Sequence, residues 1–428
     1  MSKLLKHRDI RLKQRYRAEA FFRSCGLFAI SLGVFFLLVL LYSVFSQGVS
    51  AFWQTSLTLS VKLDAKIIDP EGRRANDPQI ICIADYPRLL RNALAEELGV
   101  SLDDLVSLRE VSRMFSFGAG SQLRDLVVKN PQLIGTSQKL TFLAASHVDS
   151  VFKGQVNLSV SETKRKLSNK QLEWMKKLAY EGILHKTFNF GFFIFSASSR
   201  PEMSGLGVAL IGSFYMMFIV LLCSLPIGVA AAVYLEEYAG RNRFTDLIEV
   251  NINNLAAVPS IIFGLLGLVV FIHFLGLPRS SSLVGGLVLT LMTFPTIIIA
   301  TRSALRAVSP SIRLAALGLG ASKTQTVFQH VIPLAIPGIL TGTILGLAHA
   351  LGETAPLLLI GMVAFVANYP VSPMDPATAV PVQIYMWANE AERAFVERTF
   401  CAIIVLLMFL ALMNIAAVLL RNRFERRF

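Results

Sequence analysis

Long apolar stretches alternate with short charged ones along most of this chain, and the exception is a polar block between residues 47 and 204. At least five stretches run about 20 residues without Asp, Glu, Lys or Arg, the length a helix needs to cross a bilayer. The pattern predicts a polytopic α-helical membrane protein of six spans. The first covers residues 25–46, with its apolar centre from Leu27 to Phe45. The second runs from Gly205 to Leu235 with a kink at Pro226, and the third from Leu255 to Phe274 with Pro259 near its start. The fourth runs from Leu283 to Thr301, broken by Pro295, the fifth from Leu334 to Gly352, and the last from Phe400 to Leu420. Leu357 to Val366 is only ten residues, too short to cross alone and suited to a re-entrant or interfacial piece. The proline-rich loop after it should be irregular, with Gln383 to Arg398 as a surface helix.

The polar block reads as an ordinary mixed α+β domain. Leu57, Leu59, Val61 and Leu63 alternate with polar residues, predicting a strand over Thr55 to Ile68. Tyr86 to Leu98 and Lys170 to Tyr180 have helical spacing. Its acids, Glu96, Glu97, Asp103 and Asp104, suit a solvated helix surface, and His147 and His185 stand alone in the sequence. Asn157-Leu158-Ser159 matches a glycosylation pattern that chance also produces, and Lys164-Arg165-Lys166 reads as a solvated loop.

Composition agrees with the membrane reading: 54% of residues are hydrophobic and the mean hydropathy is +0.57, too apolar for a set of soluble domains. The net charge of +13 sits in tails and loops beside spans, as cytoplasmic segments require, so no nucleic-acid partner is expected. Lys3, Lys6, Arg8, Arg11, Lys13, Arg15, Arg17 and Arg23 precede the first span. They predict a cytoplasmic tail (1–24) and an anchored span rather than a cleaved leader. Arg421, Arg423, Arg426 and Arg427 mark a second cytoplasmic tail (421–428), leaving the 47–204 block outside the inner membrane. Cys25, Cys223 and Cys401 lie in apolar runs, so Cys82 has no partner for a disulfide within the soluble block.

Two places stand out for chemistry. Glu353 interrupts an apolar run, where a carboxylate costs about 2.5 to 3.5 kcal/mol at span depth and is usually paired or lines a cavity. His349 precedes it by one helical turn, and Thr354 follows. Arg302 ends the fourth span, where spacing alone makes it a topological anchor. The second place is the polar interruption from Ser311 to Pro333, part of a loop over 302–333. It reads as two short helices joined at Gly320. Gly318-Leu319-Gly320-Ala321-Ser322-Lys323-Thr324 partly fits a phosphate-binding loop, but Ser322 stands where the pattern needs Gly and no strand precedes it. The chain is therefore expected to bind no cofactor and to be no enzyme. Any ATP and Mg driving it belong to partner subunits.

Ala315, Ala316, Gly320, Ile332 and Pro333 fall at the spacing of the cytoplasmic loop of bacterial ABC-importer permeases, with Leu314 in place of that family's Glu and His330 in place of its Ile. Ala257-Val-Pro-Ser-Ile-Ile-Phe-Gly-Leu265, Pro337-Gly-Ile-Leu-Thr-Gly342 and Gly352-Glu-Thr-Ala-Pro-Leu357 extend the match. Together the residues from about Gly205 to Leu420 resemble the PstA-type phosphate permease, and the 47–204 block resembles an extra domain of some such permeases. The resemblance implies the type I importer permease fold for 205–420 and a role in importing inorganic phosphate. It implies as partners a homologous permease, two ATPase subunits, a periplasmic phosphate-binding protein and membrane lipid. It also implies an ATPase-coupling loop of Arg313, Leu314, Ala315, Ala316, Gly320, Ala321, Ser322, Lys323 and Pro333. Arg302 and His349 are the nearest matches to the arginines that meet the anion, with Glu353 and Thr354 beside them. A permease for molybdate or sulfate, and a membrane-anchored sensor, remain the alternative readings.

Overall fold

The computed structural model describes residues 2–70, 72, 79–156, 165–240, 242–363 and 365–424. The Asn157-Leu158-Ser159 pattern, Lys164, Arg426 and Arg427 lie outside the described residues. Helix α1 (Ser2–Gly48) runs without a break from the basic tail through the first span. At its end Gly48 crosses the last helix so closely that a Cβ there would lie 2.7 Å from Ile404 Cδ1 and from the Phe400 carbonyl carbon. The first span is thus held to the last by backbone proximity that only a glycine permits.

The chain then enters a three-stranded antiparallel sheet of order β2-β1-β3, formed by β1 (Trp53–Lys62), β2 (Ser137–Leu143) and β3 (Leu184–Phe188). The expected alternation is present, with Leu57, Leu59 and Val61 buried while Ser60 and Lys62 are exposed. The strand ends earlier than its pattern implied. Asp64 accepts a hydrogen bond from the Lys66 amide at 2.9 Å and caps a short helix, Ala65–Ile68, so local capping overrides the continuing apolar residues. Helix α2 (Tyr86–Leu98) matches its expected bounds and ends in left-handed Gly99. α3 (Ala119–Lys129), α4 (Ser146–Phe152) and α5 (Asn169–Tyr180) complete the layer. The apolar faces of α2, α3 and α5 close over the sheet around Leu57, Leu59, Leu94, Leu123 and Leu178. The domain is therefore α+β.

The membrane region contains α6 (Gly207–Val233), α7 (Arg243–Ala256), α8 (Ser260–Gly267), α9 (Ser282–Ala307), α10 (Pro310–Gly318), α11 (Ile332–Gly352), α12 (Val380–Ala388) and α13 (Ala394–Phe424). Five helical stretches are long and apolar enough to cross a bilayer, and a sixth if α7 and the segment from Ser260 to Phe274 count as one span bent by 101°.

Four expectations are corrected here. The third span does not start at Leu255, because the bend before Pro259 separates an amphipathic α7, none of whose residues is buried, from the apolar segment that follows; proline as the N-cap of α8 ends the preceding helix. The helix of the fifth span does not start at Leu334 but runs without a break from Lys323 to Gly352, so the second arm of the elbow and the span are one helix. The surface helix over Gln383 to Arg398 is instead two helices, α12 and the start of α13, and Gln383, Trp387, Phe395 and Arg398 are buried. The last span accordingly begins at Ala394 rather than Phe400. The piece after Gly352 holds only a five-residue helix, Ala355–Leu359, and Leu357, Ile360, Met362 and Val366 are buried in protein, as irregular backbone at membrane depth must be.

α9 is the centre of the bundle, packed on α6 and α11. On α11, a Cβ at Gly338 would lie 2.6 Å from the Ala304 Cβ, and Gly342 meets Ala300. Two small residues four apart on each helix bring the backbones together, the usual way apolar helices gain packing where lipid removes the hydrophobic drive.

Candidate functional site

The elbow is built by two local devices. At its first corner the Gly320 amide donates to the Leu317 carbonyl (3.0 Å) and the Ala321 amide to the Ala316 carbonyl (3.1 Å), with Gly320 at φ +87°. This paired closure needs a left-handed residue, which glycine adopts without steric cost. At the second corner Ser322 Oγ accepts from the Gln325 amide (3.2 Å) and Gln325 Oε1 accepts from the Ser322 amide (2.9 Å), a capping box that starts the next helix. Only a few residues separate the two helices.

Its two faces differ. Ala316 is buried, and Leu305, Val308, Val327 and Val331 form an apolar cluster at the base of the elbow. Leu314 is 69% exposed, Leu319 is 91% exposed, and Ala315, Leu317 and Phe328 are also exposed. Arg313 turns inward. Its guanidinium reaches Glu237 Oε1 at 2.6 Å and donates to the Val308 and Leu305 carbonyls at 2.7 and 2.9 Å. Glu237 lies in the turn Tyr234–Tyr238 that ends α6. Lys323 Nζ sits 5.3 Å from the centroid of the Tyr238 ring, a cation over an aromatic face. Ala321 is half-buried; Ser322, His330 and Pro333 are exposed.

Beside the elbow, two arginines and two glutamates interlock. Arg302 Nε lies 3.3 Å from Glu236 Oε2 and its Nη2 lies 2.9 Å from Glu249 Oε2, while Arg306 Nε lies 2.8 Å from Glu236 Oε1. The group joins α6, α7 and α9. Arg302, expected as an anion contact, has Nε and Nη2 engaged by carboxylates, and an anion binding along that edge of the guanidinium must displace them. The three glutamates are visible in the sequence only as loop charges, because their partners lie 53 to 76 residues away.

The other candidates lie elsewhere. His349 Nε2 is 3.0 Å from Glu353 Oε1, with the imidazole 62% and the carboxylate 20% exposed. Glu353 ends α11 and Thr354, half-buried, starts the short helix after it. A Cβ on Gly264 of α8 would lie 2.6 Å from Pro356 Cα, so the 257–265 and 352–357 segments, distant in sequence, pack together. The structure does not bring His349 and Glu353 into contact with Arg302.

A second buried charged group joins the 47–204 domain to α13, and the sequence reading missed it. Lys153 Nζ lies 2.7 Å from Asp149 Oδ2 and 3.0 Å from Glu397 Oε1. Asp149 Oδ1 accepts from the Thr55 amide (2.8 Å) and hydroxyl (2.6 Å). Arg398, 6% exposed, donates to the Ser204 carbonyl. Glu397 and Arg398 at the mouth of an apolar helix were the available signal.

Three comparisons bear on this architecture. The family described as a binding-protein-dependent transport system inner membrane component matches residues 224–428, and a domain of unknown function (DUF3333) matches residues 9–162. A probable ABC transporter permease protein, YqgI of Bacillus subtilis, is 37% identical over 171 residues, 40% of this chain and 58% of that protein. The phosphate transport system permease protein PstA 1 of Mycobacterium tuberculosis is 33% identical over 229 residues, 53% of this chain and 74% of that protein. Among solved structures, the inward-facing methionine ABC transporter MetNI is 18% identical with a TM-score of 0.41, covering 52% of this chain and 95% of that one.

Proposed function

The chain belongs to the PstA family of ABC-importer permeases, and on that premise we propose that it passes inorganic phosphate from a periplasmic binding protein into the cytoplasm, driven by ATP hydrolysis in partner subunits. It is a multi-pass inner-membrane protein. In this reading both termini are cytoplasmic, a homologous permease completes the pathway, and two ATPase subunits, which hold ATP and Mg, dock beneath it.

The observation that carries the proposal is the elbow. It offers exposed leucines outward and an ion pair inward, at the end of α6 opposite the 47–204 domain. A nucleotide-driven subunit gripping Leu314, Leu317 and Leu319 moves α10, and Arg313 with Glu237 passes that motion to α6. Apolar packing at Leu314 takes the place of the charged contact that a Glu there would make. The Arg302–Glu236–Glu249–Arg306 group then closes the cytoplasmic end. With the helices apart, the arginines exchange carboxylates for the entering phosphate, whose oxygens offer the same bidentate acceptors.

The test is uptake of radiolabelled phosphate by cells with and without this chain, with molybdate and sulfate as competing anions. Phosphate uptake should fall with loss of the chain and resist both competitors. Uptake unchanged by its loss removes the phosphate reading, and loss of molybdate or sulfate uptake alone reassigns the anion.

A further inference from the structure

Where the end of α1 meets the start of α13, the 47–204 domain overhangs a cavity of about 690 Å³. We propose that this cavity is a binding site for a phosphate group, carried by an anionic phospholipid headgroup or free as inorganic phosphate, at the membrane surface on the side of that domain. The site lies away from the Arg302 group, and the proposal holds whichever anion the permease passes.

The position comes first. The apolar run of α1 ends at Phe45, and Ser46 and Ser50 line the cavity immediately beyond it. Gly48 fixes that level against Phe400 and Cys401 of α13. The flank of α1 below, including Tyr42 and Phe45, is exposed, so the opening sits where phospholipid headgroups meet an uncovered apolar helix.

The charge balance comes second. Two carboxylates line the cavity and both are matched: Glu392 Oε1 accepts from Ser146 Oγ (3.0 Å) and from Lys166 Nζ (3.3 Å), and Glu397 is paired with Lys153. Arg165 and Arg393 also line it. Arg165 touches only a neutral acceptor, Asn169 Oδ1, through Nη2 (2.8 Å), and Arg393 has no ion pair or hydrogen bond through its side chain among the described residues. Among the described residues, the cavity therefore carries two cations without counter-ions.

Unpartnered polar atoms come third. Arg165 and His147 both line the cavity, and Arg165 Nε and His147 Nε2 are shielded from solvent with no hydrogen-bond partner. Buried polar atoms are rarely left so without a ligand or ordered water. The Ser46 and Ser50 hydroxyls already donate to the Ser43 (3.0 Å) and Gln47 (3.3 Å) carbonyls, so the guanidiniums of Arg165 and Arg393 are the groups whose N–H donors the acceptor oxygens of a phosphate group satisfy.

The assembled importer is reconstituted into nanodiscs of phosphatidylcholine, with and without phosphatidylglycerol. Native mass spectrometry reads retained lipid, and equilibrium binding of radiolabelled inorganic phosphate is measured in the phosphatidylcholine discs. The wild type should retain phosphatidylglycerol, or bind phosphate in its absence, and the arm that falls in the cavity variants below identifies the source, since phosphate held at the Arg302 group is not lost with them. Arg165→Gln and, separately, Arg393→Gln should weaken that occupant by about tenfold or more, the size of a lost charged hydrogen bond. Arg165→Lys should weaken it less. Arg393 is exposed and unpaired, so its variant should fold even if Arg165→Gln does not, as read by an unchanged thermal unfolding curve. Equal retention of both probes by the wild type and a folded Arg393→Gln protein overturns the proposal.

Discussion

Arg313 Nη2 lies 2.6 Å from Glu237 Oε1, pinning the first helix of the elbow to the end of α6. The carboxylate is almost wholly enclosed and the guanidinium also ties down two carbonyls. Removing one partner of a buried pair costs about 3 to 5 kcal/mol, because the other charge is left uncompensated.

Arg313→Gln should therefore uncouple the elbow from α6, lowering phosphate uptake by at least about tenfold while ATP hydrolysis by the assembled importer falls less. The double variant Arg313→Gln with Glu237→Gln should recover part of the loss, since no charge is left alone. Equal uptake in the single variant and the wild type would show that this contact transmits nothing.

Gly320 is held at φ +87° with open space where a Cβ would stand, so backbone conformation rather than crowding demands glycine there. Gly320→Leu should cost about 1 to 2 kcal/mol locally and distort the corner, and the ATPase subunits should no longer co-purify. Gly318→Ala, two residues earlier in ordinary helical conformation and also with open space, should be neutral or stabilising by up to about 1 kcal/mol. Normal ATPase recovery with Gly320→Leu would count against docking at this elbow.

Leu314 points away from the protein, so Leu314→Asp should change thermal stability by less than about 0.5 kcal/mol. It should nevertheless weaken ATPase co-purification severalfold, because a charge then replaces the apolar contact on which the proposed docking rests. Undiminished assembly would place the grip elsewhere on the elbow.

The Tyr86 phenol donates to the Ile81 carbonyl at 2.8 Å, and burial pushes its pKa up to about 12 from an ordinary 10.0. Above pH 10 the unfolded chain loses this proton while the folded one keeps it. Stability contributed by the neutral phenol is thus full below pH 10 and lost as pH rises toward 12. Thermal unfolding of the 47–204 domain in the intact protein should show this alkaline decline, and Tyr86→Phe should flatten it while lowering stability at neutral pH by about 1 kcal/mol.

Patterns that live within a few residues were legible from the chain alone. The uncharged runs marked the spans, the alternation of Leu57, Leu59 and Val61 marked the central strand, and Gly320 marked the join between two short helices. Each is a local consequence of backbone geometry or of the length of a bilayer, so sequence suffices. Three features needed the folded molecule: the 101° bend before Pro259, the pairing of Arg302 and Arg313 with glutamates more than fifty residues away, and the Lys153–Glu397 contact across 244 residues. A proline marks where a helix breaks but not the angle at which its halves pack. A lone charge likewise does not reveal its counter-ion, because the partner that neutralises a buried charge is chosen by packing between elements and not by spacing along the chain.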